Sequence, residues 1–571
     1  MASSSLPPMQ RYHDFDALRS VAMLLGIVLH GMMSLVPLPI EIWPTQDVAR
    51  DEFYWFLLHA IHGFRLQLFF VLSGFFTMMM WKKYGLKKLL GHRAKRILLP
   101  LLVFSIPLLP IFIAIDHYGR QVTANCDSSL SIWNASKAGD PSAINQHIAS
   151  GADPNAADLT GVTPLSWATR TGHVPAAAAL IERGANIQAP ESDGTTALHN
   201  AAFFGHIDMV KFLVNAGADI NAETSLGDTP ISLTRTDEFT TILIAEMMLA
   251  QFDDSQLTAN REEVFLFLKE KGANLEFPER NDPLDWFYPF LPGMKPLVSQ
   301  LPPAAQTGME LTVIFWILSV LPVFQHLWFL YYLFLIVLGF AAFTWMFRIR
   351  DKKPVPSWMV SWPLCLIWVV PLSIVPQFFM ITDFGPDTAA SPIPWPPLLL
   401  YYSVFFGFGS LSYGRKSFES TAGRFWPIAL ILAIPILILG VSEYSERGSL
   451  FVPSQTTSLS TFLRHHLLCT LFSVLYAWLM IFGLIGAFRK YCSRENPRIR
   501  YLSDASYWLY IAHLPIIWLL QIWIADAPWP GAVKLLAICA ATTLFLLVIY
   551  EIAVRYTWVG AMLNGRKSRN N

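Results

Sequence analysis

"DFDALRSVAMLLGIVLHGMM" (residues 14–33) opens with two aspartates and then runs apolar for the length of a membrane crossing, yet it carries Arg19 and His30. An ionisable side chain inside a bilayer costs roughly 2.5–3.5 kcal/mol even on lenient insertion scales, so something must offset both residues. His30 follows Arg19 by eleven positions, which at about 100° per residue is three turns plus roughly 20°. The two therefore share a helix face, about 16 Å apart along the axis. Asp16, three residues before Arg19, lies near the same stripe. This reading makes the segment a membrane helix with one polar face, running from the membrane edge to mid-depth.

The rest of the chain agrees with a lipid environment. Its 571 residues are 54% hydrophobic and only 14% charged, with 20 Trp and 41 Phe, whereas a soluble domain carries about 25% charge. The formal net charge of zero gives no general attraction to nucleic acid. Cys126, Cys365, Cys469, Cys492 and Cys539 stand singly, without paired metal spacing, and most, lying in apolar segments, read as buried inert thiols. The leader "MASSSLPPMQRYHDFDALR" is polar and shows no cleavable signal, so the first apolar run is expected to stay as a signal anchor.

Stretches near the roughly 20-residue spanning length lie at 17–38, 54–80, 97–116, 325–347, 357–380, 397–413, 425–441, 462–488, 505–525 and 532–557. Ten crossings place every basic loop on one side: Lys82 to Arg96, Arg348 to Lys353, Arg415 to Arg424, Arg489 to Arg500 and Arg566 to Arg569. Positive loops stay inside, so both termini are expected in the cytoplasm. The run "MELTVIFWILSVLPV" (309–323) would reverse the later loops if it crossed, and is read as interfacial or as a lead-in. The expectation is an all-α polytopic bundle of about ten transmembrane helices, split into 1–120 with three helices and 309–560 with seven.

Between these parts the chain changes character. "GADPN" at 151, "GANIQ" at 184 and "GADIN" at 217 recur every 33 residues, as do Gly161-Val-Thr-Pro-Leu, Gly194-Thr-Thr-Ala-Leu and Gly227-Asp-Thr-Pro-Ile. The segment "DGTTALHNAAFFGHIDMVKFLVNAGADINA" resembles an ankyrin repeat nearly position for position. A period of this length marks a stacked α-solenoid, with about four repeats over 131–277. The last is stretched, since "GANLE" arrives only at 272. His173, His199 and His206 fit turn-stabilising hydrogen bonds better than a metal. The solenoid signals a binding surface, a protein partner among its possible ligands. Ten crossings put it on the outer, periplasmic side.

Polar groups in the membrane part gather in a few stretches. "FRLQLFFVLSGFF" (64–76) holds Arg65 and Ser73, and "GHRAKRILLP" (91–100) holds Arg93, Lys95 and Arg96. "QHLWFLYYL" (325–333) carries His326. "SDASYWLYIAHLP" (503–515) sets Ser506, Tyr510 and His513 at i, i+4 and i+7, on one helix face. Each has a plain alternative: lipid-phosphate anchors for the arginines, packing for the histidines, a bond back to its own helix for Ser506. His30 resists that treatment, because a mid-span histidine aligned with an arginine is a functional site by default.

"DALRSVAMLLGIVLH", "FRLQLFFVLSGFF", "HRAKRILLP", "HLWFLYYL" and "SYWLYIAHLP" together resemble the successive motifs of the acyltransferase 3 family of polytopic membrane proteins. Arg65 and the "RAKRILLP" pattern bring the chain nearest the glucans biosynthesis protein C branch. The likeness covers about 17–116 and 325–557; the ankyrin block and His92, where relatives often carry arginine, are departures. The resemblance implies O-acylation, with an acetyl or succinyl group moved from cytoplasmic acyl-CoA to a hydroxyl of a glycan or similar polar acceptor at the inner membrane. Acyl-CoA would be the donor substrate, with no bound cofactor and no metal.

On that reading Arg93, Lys95 and Arg96 suit the donor's phosphates, and Arg19 the pantetheine end or thioester carbonyl. His30, with Asp16 and Arg19 further along the same stripe as catalytic residues, would serve as general base or covalent relay. Arg65, Ser73, His326, Ser506, Tyr510 and His513 would line the acceptor or acyl pocket, Arg65 being the cation a succinyl group wants. A transporter or flippase whose ankyrin array recruits a partner is the competing reading. It requires inverted repeats, and only a faint Trp-Pro likeness between 362–376 and 426–440 suggests one. An inactive anchor for the ankyrin array ranks last.

Overall fold

The computed structural model describes residues 12–37, 43–124, 131–236 apart from 159–161, 192 and 225–226, then 256–275, scattered positions between 300 and 319, 323–348, 355–381, 384–447 and 458–565. Among these residues every regular element is helical. Most of the 309–323 run, Cys126 and the basic residues after 565 lie outside the described residues.

The first membrane part holds three helices. α1 (His13–Gly31) begins with Asp14 and Asp16 in its first turn, where the helix dipole favours carboxylates. α2 (Glu52–Arg93) is capped by Asp51, which accepts from the Phe53 amide. It bends at Gly85, whose φ of 78° is left-handed. One π-helical turn (Ala94–Leu98) leads into α3 (Leu99–Ala124).

The ankyrin helices follow: α4 (Ile132–Lys137), α5 (Pro141–Ala149), α6 (Pro164–Arg170), α7 (Val174–Glu182), α8 (Ala197–Phe203), α9 (Ile207–Asn215), α10 (Pro230–Leu233) and α11 (Leu257–Glu270). The 33-residue period has two physical causes. Thr163, Thr196 and Thr229 start their helices, with Thr163 and Thr229 accepting from the backbone three residues on. Gly151, Gly184 and Gly217 each end a pair with φ between 92° and 98°. The stretched repeat survives as α10 and α11, with 237–255 between them outside the described residues.

The second membrane part contains α12 (Trp328–Met346), α13 (Leu366–Phe378), α14 (Pro396–Ser412), α15 (Lys416–Thr421), α16 (Trp426–Arg447), α17 (Leu459–Tyr491), α18 (Pro497–Ile524), α19 (Gly531–Ile549) and α20 (Trp558–Asn564). A single apolar core joins α1, α2, α12, α14, α17 and α18. The tightest crossing is α2 on α14. There a methyl on Gly74 would overlap the Phe406 carbonyl, and one on Gly409 the Val71 carbonyl. Small residues let membrane helices approach this closely, and Ser410 Oγ donates across the seam to the Gly74 carbonyl at 3.1 Å.

Each of the ten expected spans overlaps a helix, but among the described residues seven helical stretches are long and apolar enough to cross a membrane. Two causes account for the difference. Glu52–Gly119, 68 residues, counts once although it holds two expected spans. α13 and α14, of 13 and 17 residues, fall short of the usual length.

Two ion pairs orient the parts. Asp14, at the start of α1, lies 3.5 Å from Arg489 in the basic end of α17. Beyond the other end of α1, Arg50 lies 3.8 Å from Asp158 of the ankyrin array. The array therefore contacts the end of the bundle opposite the basic Arg489 loop.

Candidate active site

α18 positions nearly everything. Ser503, Ser506, Tyr510, His513 and Gln521 recur at helical spacing along the side packed on α1, and all are buried. His513 Nε2 stands 2.7 Å from Nδ1 of His30, the rings nearly parallel with centroids 4.9 Å apart. His513 Nδ1 lies 2.7 Å from the Tyr510 carbonyl and 3.1 Å from that of Leu509. Carbonyls only accept, so Nδ1 carries the hydrogen and Nε2 keeps its lone pair. His30 must then donate through Nδ1–H, which leaves His30 Nε2 with a free lone pair. That is the state a general base needs.

His326 completes a trio, its ring 5.0 Å from that of His513 and 6.4 Å from that of His30. Its Nε2 donates to the carbonyls of Tyr510 and Ile511, both at 3.0 Å. The Ile511 carbonyl is available because residue 515 is proline and has no N–H to give it. Tyr510 Oη donates back to the His326 carbonyl at 2.6 Å, closing a reciprocal clamp. Nδ1 of His326 is buried without a partner among the described residues. Among the described residues no group of three or more His, Cys, Asp or Glu is arranged to hold a metal, since each of these imidazoles spends a nitrogen on another group.

Arg65 reaches this end of α1. Its side chain packs on Gly26, one turn before His30, so closely that a methyl there would overlap Nη1. Arg65 is only 8% exposed. It meets no carboxylate or hydrogen-bond acceptor among the described residues, and its Nε is buried and unpartnered. Its charge acts on His30, His326, His513, Tyr402 and Tyr510. The buried hydroxyl of Tyr402 is also without a partner. Unpaired buried polar groups are costly, and three of them here share one neighbourhood.

A cap closes the C-terminal end of α1. Gln521 Nε2 donates to the carbonyls of His30 and Gly31, both at 3.0 Å, satisfying the last turn of α1. Trp43 Nε1 donates to Gln521 Oε1 at 2.8 Å, and its ring lies over His30 at 6.3 Å. The cap loop is anchored by Asp47, whose carboxylate meets Lys534 Nζ at 2.6 Å in a pair 1% and 0% exposed.

The remaining expected residues gather elsewhere. Arg19 does not meet His30, because a shared face does not shorten eleven residues of helix rise. Its Nη2 donates to Ser503 Oγ at 2.6 Å, and Asp16 lies 3.6 Å away. Ser506 bonds back to the Ser503 carbonyl at 2.8 Å. Arg93 is tied to Thr77 Oγ1 at 2.7 Å, and Arg96 to the Met562 carbonyl at 3.1 Å. Lys95 is exposed. Ser73 is half-buried and bonds no described residue. His30 itself sits in the last turn of α1 rather than halfway along it. Gly26, Tyr402, Trp43 and Gln521 had no signal in sequence pattern, since each acquires its role from another helix or from a loop.

The family model of the acyltransferase domain matches residues 12–157 and 278–551. The chain belongs to this acyltransferase family. A second model, of ankyrin repeats in three copies, matches 132–224, so the acyltransferase domain is interrupted by the array. Among curated proteins the chain is similar to glucans biosynthesis protein C of Escherichia coli strain SMS-3-5, 38% identical over 112 residues. The same protein of strain K12 is 37% identical over 112 residues. In both cases the match covers 19% of this chain and 28% of the relative.

In the ankyrin unit His199 and His206 are structural. His199 takes the Thr196 amide on Nδ1 at 3.2 Å and donates to the Asp228 carbonyl of the next repeat at 3.0 Å. His206 meets the Arg170 carbonyl of the preceding repeat at 3.1 Å. Burial holds both imidazoles below the ordinary histidine range. Every residue of α6 and α8 is buried.

Proposed function

We propose that the acyltransferase domain moves a succinyl group from cytoplasmic acyl-CoA to a glycan hydroxyl, with His30 as general base. The observation that carries this is the hydrogen-bond order ending in a free lone pair on His30 Nε2, beside a buried guanidinium that has no counter-ion. His30 Nε2 takes the acceptor's hydroxyl proton as that oxygen attacks the thioester carbonyl. The C–O bond forms, the C–S bond breaks, and the proton passes to the departing thiolate. Such a base contributes about 10²–10⁴-fold. Arg65, with five donors, faces the carbonyl oxygen as it gains charge and the free carboxylate of a succinyl group. That unmet positive charge favours succinyl over acetyl. The similarity to the glucans biosynthesis protein C of Escherichia coli supports a glucan as acceptor.

Arg19, Lys95 and Arg96, at the other end of α1 and α18, suit the donor's entry rather than its reacting carbonyl. Ten crossings follow if 52–119 crosses twice and α13 and α14 cross as short helices. The Arg50–Asp158 pair, opposite the Arg489 loop, supports cytoplasmic termini and a periplasmic ankyrin array in the inner membrane.

The test offers succinyl-CoA and acetyl-CoA, each labelled in the acyl group, to the full chain in nanodiscs with periplasmic glucans. Label is expected as a glucan ester, faster from succinyl-CoA, and Arg65→Met is expected to erase that preference. Donor left intact by folded protein would overturn the reading in favour of transport.

A further inference from the structure

At the basic end of the bundle the segment joining α15 to α16 meets the end of α17 around an open cavity of about 360 Å³. Its wall carries Arg424, Arg489, Lys490 and the indole of Trp426. Arg489 is fixed in place, Nη1 donating to the carbonyls of Glu419 at 3.1 Å and Ala422 at 3.4 Å, with Asp14 3.5 Å from Nε. Lys490 Nζ stands 5.7 Å from the Trp426 ring, and the Arg424 guanidinium 5.5 Å from that of Phe425. Neither Arg424 nor Lys490 meets a carboxylate among the described residues. Three cations thus face one anion.

α16 rises directly from this cavity with Ile428, Ile431, Leu432 and Ile438 exposed on the outside of the bundle. A phosphate-sized basic cleft continuous with an outward apolar ridge matches a phosphate head group with hydrocarbon tails. Basic pockets between membrane helices on this kind of face hold anionic lipid head groups. The donor's phosphates do not account for it. Asp14, which pairs with the wall residue Arg489, precedes His30 by sixteen residues, about 160° round α1, so Arg489 is held on the side of α1 away from the His30 side chain.

We infer that the Arg424–Arg489–Lys490 cavity binds the phosphate head group of an anionic phospholipid whose tails lie along α16. This inference does not rest on the acyl-transfer reading. Its test measures lipid retained by the full chain in native mass spectrometry, after exchange through nanodiscs of phosphatidylcholine containing phosphatidylglycerol. Wild type is expected to keep phosphatidylglycerol in preference to phosphatidylcholine. Arg424→Gln with Lys490→Gln is expected to lower that preference roughly five-fold per cation removed. Lys87→Gln with Lys88→Gln, exposed lysines near the end of α2, is expected to leave it unchanged. Equal retention of both lipids by wild type, or an equal loss in the Lys87 and Lys88 variant, would overturn the inference. So would displacement of the retained lipid by soluble adenosine 3′,5′-bisphosphate, which would return the cavity to the donor.

Discussion

At the scale of single residues, which nitrogen carries which hydrogen decides whether His30 can accept a proton. His513 holds His30 by accepting from Nδ1–H, so it is a positioning residue. His513→Ala is expected to lower kcat by about 10²-fold. His513→Gln, whose side-chain carbonyl can still accept, is expected to recover part of that, with little change in KM for the donor. Equal losses in both would mean packing alone. Gly26→Ala tests the guanidinium, since the added methyl must push Arg65 aside. Its expected signature is a fall in succinyl transfer exceeding the fall in acetyl transfer; a uniform loss would remove Arg65 from acyl recognition. His30, His326, His513 and Tyr510 were legible in sequence, because ionisable groups in apolar helices are conspicuous. Arg19 was legible as a polar group on the His30 face, but its contact with Ser503 was not. Angular register along one helix is easy to compute, whereas the partner of a side chain is set by whichever helix packs there, and for Arg19 that is Ser503 of α18.

At the scale of elements, α18 works because a proline interrupts its own bonding. The expected consequence of Pro515→Ala is a restored N–H that recaptures the Ile511 carbonyl and strips His326 of one of its two acceptors. Amide exchange at residue 515 is expected to be slow in that variant, with transfer reduced several-fold and the protein still folded. Unchanged transfer despite a protected amide would show that the His326 clamp is dispensable. The helices themselves were legible from apolar length and basic loops, and the ankyrin units from a period fixed by threonine caps and left-handed glycines. Their count was less so. Hydrophobic length alone does not say that α2 and α3 form one nearly continuous helical stretch bent at Gly85, nor that α13 stops after 13 residues.

At the scale of the molecule, a soluble array and a membrane bundle meet through Arg50 and Asp158, next to the loop that carries Trp43 over His30. Their stabilities answer to different conditions. His199 and His206 are held below their usual range, so the unfolded chain takes up protons first as pH falls through about 6.5. Their contribution is therefore whole above that pH and shrinks below it. The protection factors of α8 and α9 in the full chain, each rate being corrected for the intrinsic exchange at its pH, are expected to fall between pH 7.5 and 5.5, less so in His199→Gln; parallel slopes would contradict this. The most direct test of the whole account is transfer of labelled succinyl from succinyl-CoA to glucan by wild type, His30→Ala and Arg19→Ala at matched folded amounts in nanodiscs. His30→Ala is expected to lower transfer by about 10²–10⁴-fold at any donor concentration, whereas Arg19→Ala raises KM for the donor and leaves much of kcat. Full transfer by His30→Ala would contradict it.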